Sequence, residues 1–408
     1  MISTIKTTLN MFLLKGRIQN YAWGGKKYLS KLLGGKTSAK NDAEYWLGAH
    51  KKAPSIIKTG RGNLSLDKYL KLNLKRNLGK EIATKYGRLP FLFKVLDVNS
   101  MLSIQVHPTK IEAEIGFKRE NELGIPLTAS YRNFKDDNHK PEIMVALSDF
   151  WLLHGFLTKR KLKNRLKNTQ ELSCFMKTFK KKGYFGLYKK VMELSKEEVN
   201  TILIPLGERI IPLYKKGKLH KENPDYWAAK AMKTLSGRRK MDKGIFSIYF
   251  FNLVNVPKGE AIFQKAGVPH AYLEGQNIEL MANSDNVLRG GLTKKHIDVP
   301  ELLKHIVFEG TIPNLLKGTL QKNGLERIYY TSAKDFELSK IHISRKEVYK
   351  AKVLTVEILL VMDGEVTILE KKSALSLVKG RSVFLKPGSD YSISTKKTAI
   401  IYKAKVPY

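Results

Sequence analysis

Four side chains in this sequence have the types and spacing of a metal site. Ser103-Ile104-Gln105-Val106-His107-Pro108 reads as a strand, in which positions i and i+2 share a face. Gln105 and His107 then point one way, and Ile104 and Val106 the other. Asn138-His139-Lys140-Pro141-Glu142 brings a histidine and a carboxylate to the mouth of a following strand. An internal repeat locates the last member. Lys258-Gly-Glu-Ala-Ile-Phe-Gln-Lys-Ala-Gly267 aligns without gaps to Lys379-Gly-Arg-Ser-Val-Phe-Leu-Lys-Pro-Gly388, and just beyond it His270 in the first copy stands where Tyr391 stands in the second. Gln105, His107, Glu142 and His270 together make an N/O tetrad suited to Zn²⁺ or another divalent ion. A single carboxylate leaves such a unit with about +1 net charge, electrophilic enough to polarise a substrate oxygen. Spacing alone also admits a plainer reading: both histidines as ordinary polar strand residues and Gln105 as a surface amide, since Gln-x-His lacks the specificity of paired Cys-x-x-Cys.

The elements that must hold these residues can be read from periodicity. Residues 12–62 form short β segments broken by Gly and Pro. Ser65 is placed to cap a helix from Leu66 that runs to a stop at Gly87. Residues 91–106 are β-rich, 112–124 read as a short helix, and 142–147 as a strand. The character then changes. Residues 156–243 carry 24 basic and 8 acidic residues, and their apolar positions (Leu162 and Leu166, Phe175 and Phe179, Tyr188 and Val191) recur at three and four. That is the helical period, so this stretch is a basic helical insertion. From Ile245 the period-two, Gly-punctuated pattern returns and runs to Tyr408, interrupted by a helix at about residues 300–307. The repeat, with the hairpin Val361-Met-Asp-Gly364 ahead of its second copy, is how jelly-roll strands read. The expected architecture is mainly β: two jelly-roll barrels, one interrupted by helices. Residues 1–155 and 244–325 would form the catalytic barrel, 156–243 the insertion, and 326–408 a C-terminal barrel without metal.

Composition excludes several classes. The 408 residues carry a net charge of +37, but lysine supplies most of it and is scattered everywhere. No RNP, zinc-finger or helix-turn-helix signature accompanies it, so no specific nucleic-acid partner is expected, while an anionic small substrate would gain from the same field. The lone cysteine, Cys174, excludes a disulfide framework and a Cys-based zinc site. No apolar run reaches the roughly 18–20 residues of a membrane span. Met1-Ile-Ser-Thr-Ile-Lys has no secretory core, and Met11 could be the start used. A soluble, cytoplasmic, multidomain protein is expected, with no membrane partner.

Longer strings carry a resemblance. Tyr21-Ala-Trp-Gly24, Ala43-Glu-Tyr-Trp-Leu-Gly-Ala-His50, Leu89-Pro-Phe-Leu-Phe-Lys-Val-Leu96, Leu102-Ser-Ile-Gln-Val-His-Pro108 and Asp136-Asp-Asn-His-Lys-Pro-Glu142 stand in order. They are followed by Gly267-Val-Pro-His-Ala-Tyr-Leu, by Glu279-Leu-Met-Ala-Asn-Ser-Asp-Asn-Val-Leu-Arg289 and by Gly290-Gly-Leu-Thr-Lys-Lys-His-Ile-Asp298. In these the chain resembles the type I mannose-6-phosphate isomerases (phosphomannose isomerases), zinc-dependent enzymes of the cupin superfamily. Phe134 replaces the family's tyrosine ahead of Asp136, and the insertion is more basic than the family leads one to expect. The resemblance implies cupin-like barrels and one zinc per chain held by Gln105, His107, Glu142 and His270. It implies a catalytic group of Lys140, Glu279, Asp285 and Arg289, with Lys94, Ser103 and Lys295 binding the substrate. The substrate would be a phosphorylated hexose, and the chain a monomer or weak homo-oligomer.

The implied chemistry is aldose–ketose interconversion of mannose 6-phosphate and fructose 6-phosphate through an enediol. It needs a base at the carbon proton and stabilisation of charge on two oxygens. Asp285 or Glu279 would carry the proton, and Arg289 would hold the enediolate or orient the sugar. Asp285 and Arg289, four apart, could instead be a structural pair, and Lys94 and Lys140 two more solvated lysines. Trp23 and Trp46 read as core. Two other classes remain: a metal-dependent cupin oxygenase, and a basic binding module for RNA or an acidic partner.

Overall fold

Along Phe91–Val98 alternate residues serve two different cores. Phe91, Phe93 and Val95 face a cluster shared by both halves of the molecule, whereas Leu96 and Val98 turn into the first barrel. Strand side chains alternate between faces, so Lys94 is carried to the inner side with Leu96. The strand pairs antiparallel with Asp42–Gly48, where Trp46 lies opposite Lys94, and with His270–Ala282, where Glu279 does. These contacts come from a computed structural model that describes residues 10–60, 62–235, 240–371 and 373–408. The expectations for residues 1–9 lie outside the described residues.

His270–Ala282 organises the first barrel. Its early residues pair with Phe150–Phe156 and, at His270, with Gln105; its later ones pair with Glu142–Ala146 and Phe91–Val98. It changes partners at a register shift between Tyr272 and Glu274. Gly275 follows at φ 127°, where an added Cβ would lie 2.7 Å from the Asp149 carbonyl oxygen. Only glycine combines that backbone with that approach, which lets one strand serve two sheets.

The C-terminal half departs from the expected division. Its nine-stranded sheet includes Met11–Lys15, set between Ser382–Leu385 and Ile56–Thr59, with Gly62–Ser65 at the edge. Strands expected in the first barrel therefore complete the second. Met11, Phe12 and Leu14 are buried there, so the strand covers an open sheet edge while burying its apolar face. A four-stranded sheet, Val348–Lys352, Asp390–Ser394, Glu365–Glu370 and Ser373–Val378, packs across the intervening core. The molecule is mainly β, with curled sheets and a helical insertion. The repeat holds in three dimensions. Ala261–Gln264 and Ser382–Leu385 are equivalent strands, and Gly259, Gly267, Gly380 and Gly388 all have positive φ.

Three helix expectations need correction. The run from Leu66 is three short helices, Leu66–Leu72, Leu74–Leu78 and Lys80–Tyr86, broken at Asn73 and Gly79. Ser65 makes no side-chain cap, although Gly87 does end the run in the left-handed conformation. The insertion continues past residue 243: Gly244–Phe250 is helical, and the strand begins at Phe251. Every residue of that helix is buried, and an apolar run without a polar face carries no period to read. The helix expected near residue 300 is Val299–His305. Leu162, Leu166, Phe175, Phe179, Tyr188 and Val191 are buried in the insertion core. Among the described residues, no helix is long and apolar enough to cross a membrane.

Candidate metal centre and active site

Backbone pairing places His270 opposite Gln105, and Gln105 opposite Arg289, so three of the expected residues sit on adjacent strands. Glu142 opens its own strand on the other wall of the barrel. His107, Glu142 and His270 are all buried, and each offers a ligand atom within 4.8 Å of the others. Nδ1 of His107 faces the Asn286 carbonyl oxygen at 2.9 Å, and Nδ1 of His270 faces that of Val268 at 3.0 Å. A carbonyl only accepts, so each Nδ1 donates and each Nε2 keeps its lone pair. Those Nε2 atoms converge on Glu142, at 3.5 Å from His107 and 3.4 Å from His270.

The electrostatics suit a cation. Burial, helped by the Lys140 ammonium, pushes the His107 imidazole down to about 4, so it stays neutral. Burial alone would raise Glu142, but Lys140, with Nζ 3.0 Å from Oε1, and the imidazoles hold it well below the ordinary range. His107 Nε2 is fully buried and makes no hydrogen bond. An orphaned lone pair in a protein interior is costly unless something binds it. Two imidazoles, a carboxylate and the neighbouring Gln105 amide form a donor set that fits zinc. His139 is not part of it. Its Nε2 meets Asp335 Oδ2 at 2.8 Å, in the connection between Glu326–Tyr329 and Glu337–Ser344 of the nine-stranded sheet.

Lys94 and Lys140 are not solvated lysines; they are 6% and 8% exposed. Lys94 Nζ lies 2.9 Å from Glu279 Oε1 and 3.5 Å from Glu44 Oε2, and 5.4 Å above the Trp46 ring. Burial would lower its pKa, but the carboxylates of Glu279, Glu44 and Glu142 outweigh that and raise it. Glu279 is pushed the opposite way from most paired carboxylates. Burial raises it, and the repulsion of Glu142 and Glu44 offsets part of what Lys94 gives back.

Asp285 is set differently. Its Oδ2 is 3.0 Å from Lys52 Nζ and its Oδ1 3.5 Å from His50 Nε2. Burial would raise the carboxyl, but these two partners hold it far below its usual range. It forms no ion pair with Arg289 among the described residues, because residues 283–287 are not helical and Arg289 sits on a two-residue strand. Burial lowers the Arg289 pKa. Lys295 is exposed, and it is lowered by partial burial and by the nearby Arg289 and Lys52 charges. Ser103 is half-buried, two residues ahead of Gln105. A cavity of 240 Å³ opens beside Asp285, lined by His50, Lys52, Arg88 and Lys135.

Two quoted strings meet through residues that were not singled out. The Asp136 carboxylate accepts from Ser284 Oγ and from the Asp285 backbone N–H, both at 2.7 Å. The Asn286 side chain accepts from Lys135 N–H at 2.7 Å and donates to the Asp136 and Asn138 carbonyls. The same Asn286 carbonyl orients His107. Asn286→Ala should therefore loosen metal binding by about 10–100-fold without removing a ligand, measured by competition with a chelator. Unchanged affinity would show that the loop holds its shape without that amide.

The segment 11–159 matches the model of the phosphomannose isomerase type I catalytic domain. Mannose-6-phosphate isomerase of Escherichia coli K12 is 36% identical over 374 residues, covering 90% of this chain and 93% of the enzyme. The chain belongs to the type I phosphomannose isomerase family. Solved phosphomannose isomerases of Salmonella typhimurium superpose along nearly the whole length. A mutant form has a TM-score of 0.89 at 32% identity, covering 98% of this chain and all of that one. A form with fructose 6-phosphate and zinc bound gives 0.88 at the same identity and coverage. Against this phosphomannose isomerase background, the sequence reasoning missed Glu44, Trp46, His50, Lys52, Asp136 and Asn286. Glu44 and Trp46 had a signal, since alternate residues of the strand opposite Lys94 must share its face.

Proposed function

We propose that the chain is a zinc-dependent isomerase that interconverts mannose 6-phosphate and fructose 6-phosphate through an enediol. The observation that carries this is the buried His107–Glu142–His270 cluster, with its orphaned Nε2, facing the Lys94–Glu279 pair inside one barrel. A relative of the same length and fold holds zinc and fructose 6-phosphate. Gln105, His107, Glu142 and His270 hold the ion, which when bound supplies a Lewis acid for the sugar's carbonyl and hydroxyl oxygens.

The remaining work falls to side chains. In the aldose-to-ketose direction a proton leaves C2 and returns at C1, while O2 gives up its proton and O1 gains one. Glu279, raised by burial, is the carboxylate suited to carry the carbon proton. Asp285, held low between His50 and Lys52, is a weak base, and it orients the sugar instead. Lys140 faces the metal cluster and donates to oxygen. Lys94 keeps Glu279 in place, and Ser103 and Lys295 take the phosphate end. The C-terminal barrel is structural, since Tyr391 stands at the position of His270 and its hydroxyl donates to Glu357 at 2.8 Å. We place the chain in the cytoplasm, as a monomer or weak homo-oligomer; its one cysteine is exposed and unpaired. The test of this reading is a coupled assay with mannose 6-phosphate. Activity should vanish on chelation and return with zinc, and activity indifferent to chelator would overturn it.

Arg289 lies beside Gln105 in the sheet and stabilises charge that develops during transfer. Arg289→Ala should lower kcat by about 10²–10³ with little change in KM. Arg289→Lys should fail too, for want of the planar fork. Normal kcat with a raised KM would move Arg289 to the phosphate end.

A further inference from the structure

The helical insertion contains an arginine whose guanidinium is not engaged. Arg165, on the helix Lys159–Asn168, is partly buried, yet its guanidinium makes no hydrogen bond or ion pair among the described residues. The carboxylates near it are already engaged. Arg209 takes Glu171 through Nε at 2.7 Å and Asp225 through Nη1 at 2.9 Å, and Tyr249 donates its hydroxyl to the other Asp225 oxygen at 2.7 Å. Arg165 stands where two cavities meet, one of 620 Å³ and one of 430 Å³, with Asn168 and Glu222 also common to both. Lys161 and Asn164 line the smaller lobe, and Thr169 and His220 the larger. Glu222 is exposed and has no ion-pair partner among the described residues, so Lys161 and Arg165 outweigh it. Burial also lowers the Arg165 pKa, and the nearby Tyr249 and Asp225, already bonded to each other, offset only part of it.

We propose that this cleft, on the insertion and apart from the metal centre, binds a phosphate monoester of a small polyol. The guanidinium presents a planar fork of donors that matches phosphate, and partial burial strengthens such contacts. Asn164, Asn168, Asn223 and Asn252, with Thr169 and His220, add amide, hydroxyl and imidazole groups to the lining beside Leu157, Pro224 and Leu253, and these can hydrogen-bond a hydroxylated body. The combined space admits a molecule of sugar-phosphate size.

Titration calorimetry of the zinc-loaded full chain with glycerol 3-phosphate tests this. Wild-type protein should show a site that Arg165→Gln weakens about tenfold to a hundredfold, the loss expected for charge-assisted hydrogen bonds. Isomerase activity should be unchanged in that variant, because Arg165 has no part in the reaction site. Arg165→Lys should recover only part of the binding. Glu222→Gln should tighten it by removing the like charge. Arg289→Ala should leave it intact, which separates this cleft from the reaction site. Identical isotherms for wild type and Arg165→Gln would overturn the proposal. So would a lowered melting temperature without tighter binding in Glu222→Gln, since Glu222 would then be the arginine's own counter-ion. Inorganic phosphate binding as tightly as glycerol 3-phosphate would refute the polyol component.

Discussion

His270→Ala should yield a folded chain that holds little zinc and turns over mannose 6-phosphate at about a thousandth of the wild-type rate or less. His270 supplies one of the two converging Nε2 atoms, and its Nδ1 is already committed to the Val268 carbonyl. Removing it leaves His107, Glu142 and Gln105, a less complete and less rigid set. Several kcal/mol of charge stabilisation at the sugar oxygens go with the ion, and each 1.36 kcal/mol is tenfold in rate. Metal content by elemental analysis and rate by coupled assay should fall together, while melting temperature reports the fold separately. A metal-free variant with full turnover would refute the assignment of the cluster. Two zinc ions per wild-type chain would contradict the inert second barrel.

Glu279→Gln should cut kcat by about 10²–10⁴, the usual range for a lost acid–base group, with zinc content unchanged. The amide keeps the shape of the carboxylate but cannot carry a proton. It also leaves the Lys94 ammonium buried with Glu44, at 3.5 Å, as its one remaining ion-pair partner among the described residues, and with the Glu142 charge nearby. Breaking one partner of a buried pair costs about 3–5 kcal/mol when nothing compensates, and Glu44 should keep the loss below that. A modest fall in melting temperature with a large fall in kcat is the expected pair of results. Asp285→Asn gives the contrast, because its carboxylate is already held in the ionised form by His50 and Lys52. If Asp285→Asn lost the larger share of kcat and Glu279→Gln stayed within tenfold, the two roles would have to be exchanged.

The site was more legible than the frame around it. Gln105 and His107 could be paired by strand alternation, but the strand is only Gln105–Val106 and His107 follows it; His270 could be found by comparison with Tyr391 because the repeat preserves backbone, glycine for glycine. His139 could not be separated from Glu142 by spacing. Only the fold shows its ring turned to Asp335, 196 positions away in the chain. Asp136 and Asn286 were hidden for a related reason: each acts through backbone atoms of a distant loop, and no local pattern marks such a role. The helix Gly244–Phe250 escaped because a fully buried element has no polar face to set a period. The segment 66–86 read as one helix because apolar spacing continues through Asn73 and Gly79, which break it by backbone conformation. The placing of Met11–Lys15 was beyond periodicity altogether, since nothing in those residues names their partner.

That strand has a consequence for how the molecule comes into being. Met11 lies opposite Leu385 and Leu14 opposite Ser382, so this segment must wait for a partner made 368 positions further along the chain. Until then its apolar residues and the matching sheet edge both stay uncovered. Such long-range closure is slow, because the entropy of joining the chain ends is lost before the pairing is gained. Closing this sheet therefore joins two segments that lie far apart in the chain. A C-terminal half made by itself would carry a bare edge beside Ser382–Leu385, open to pairing with other copies.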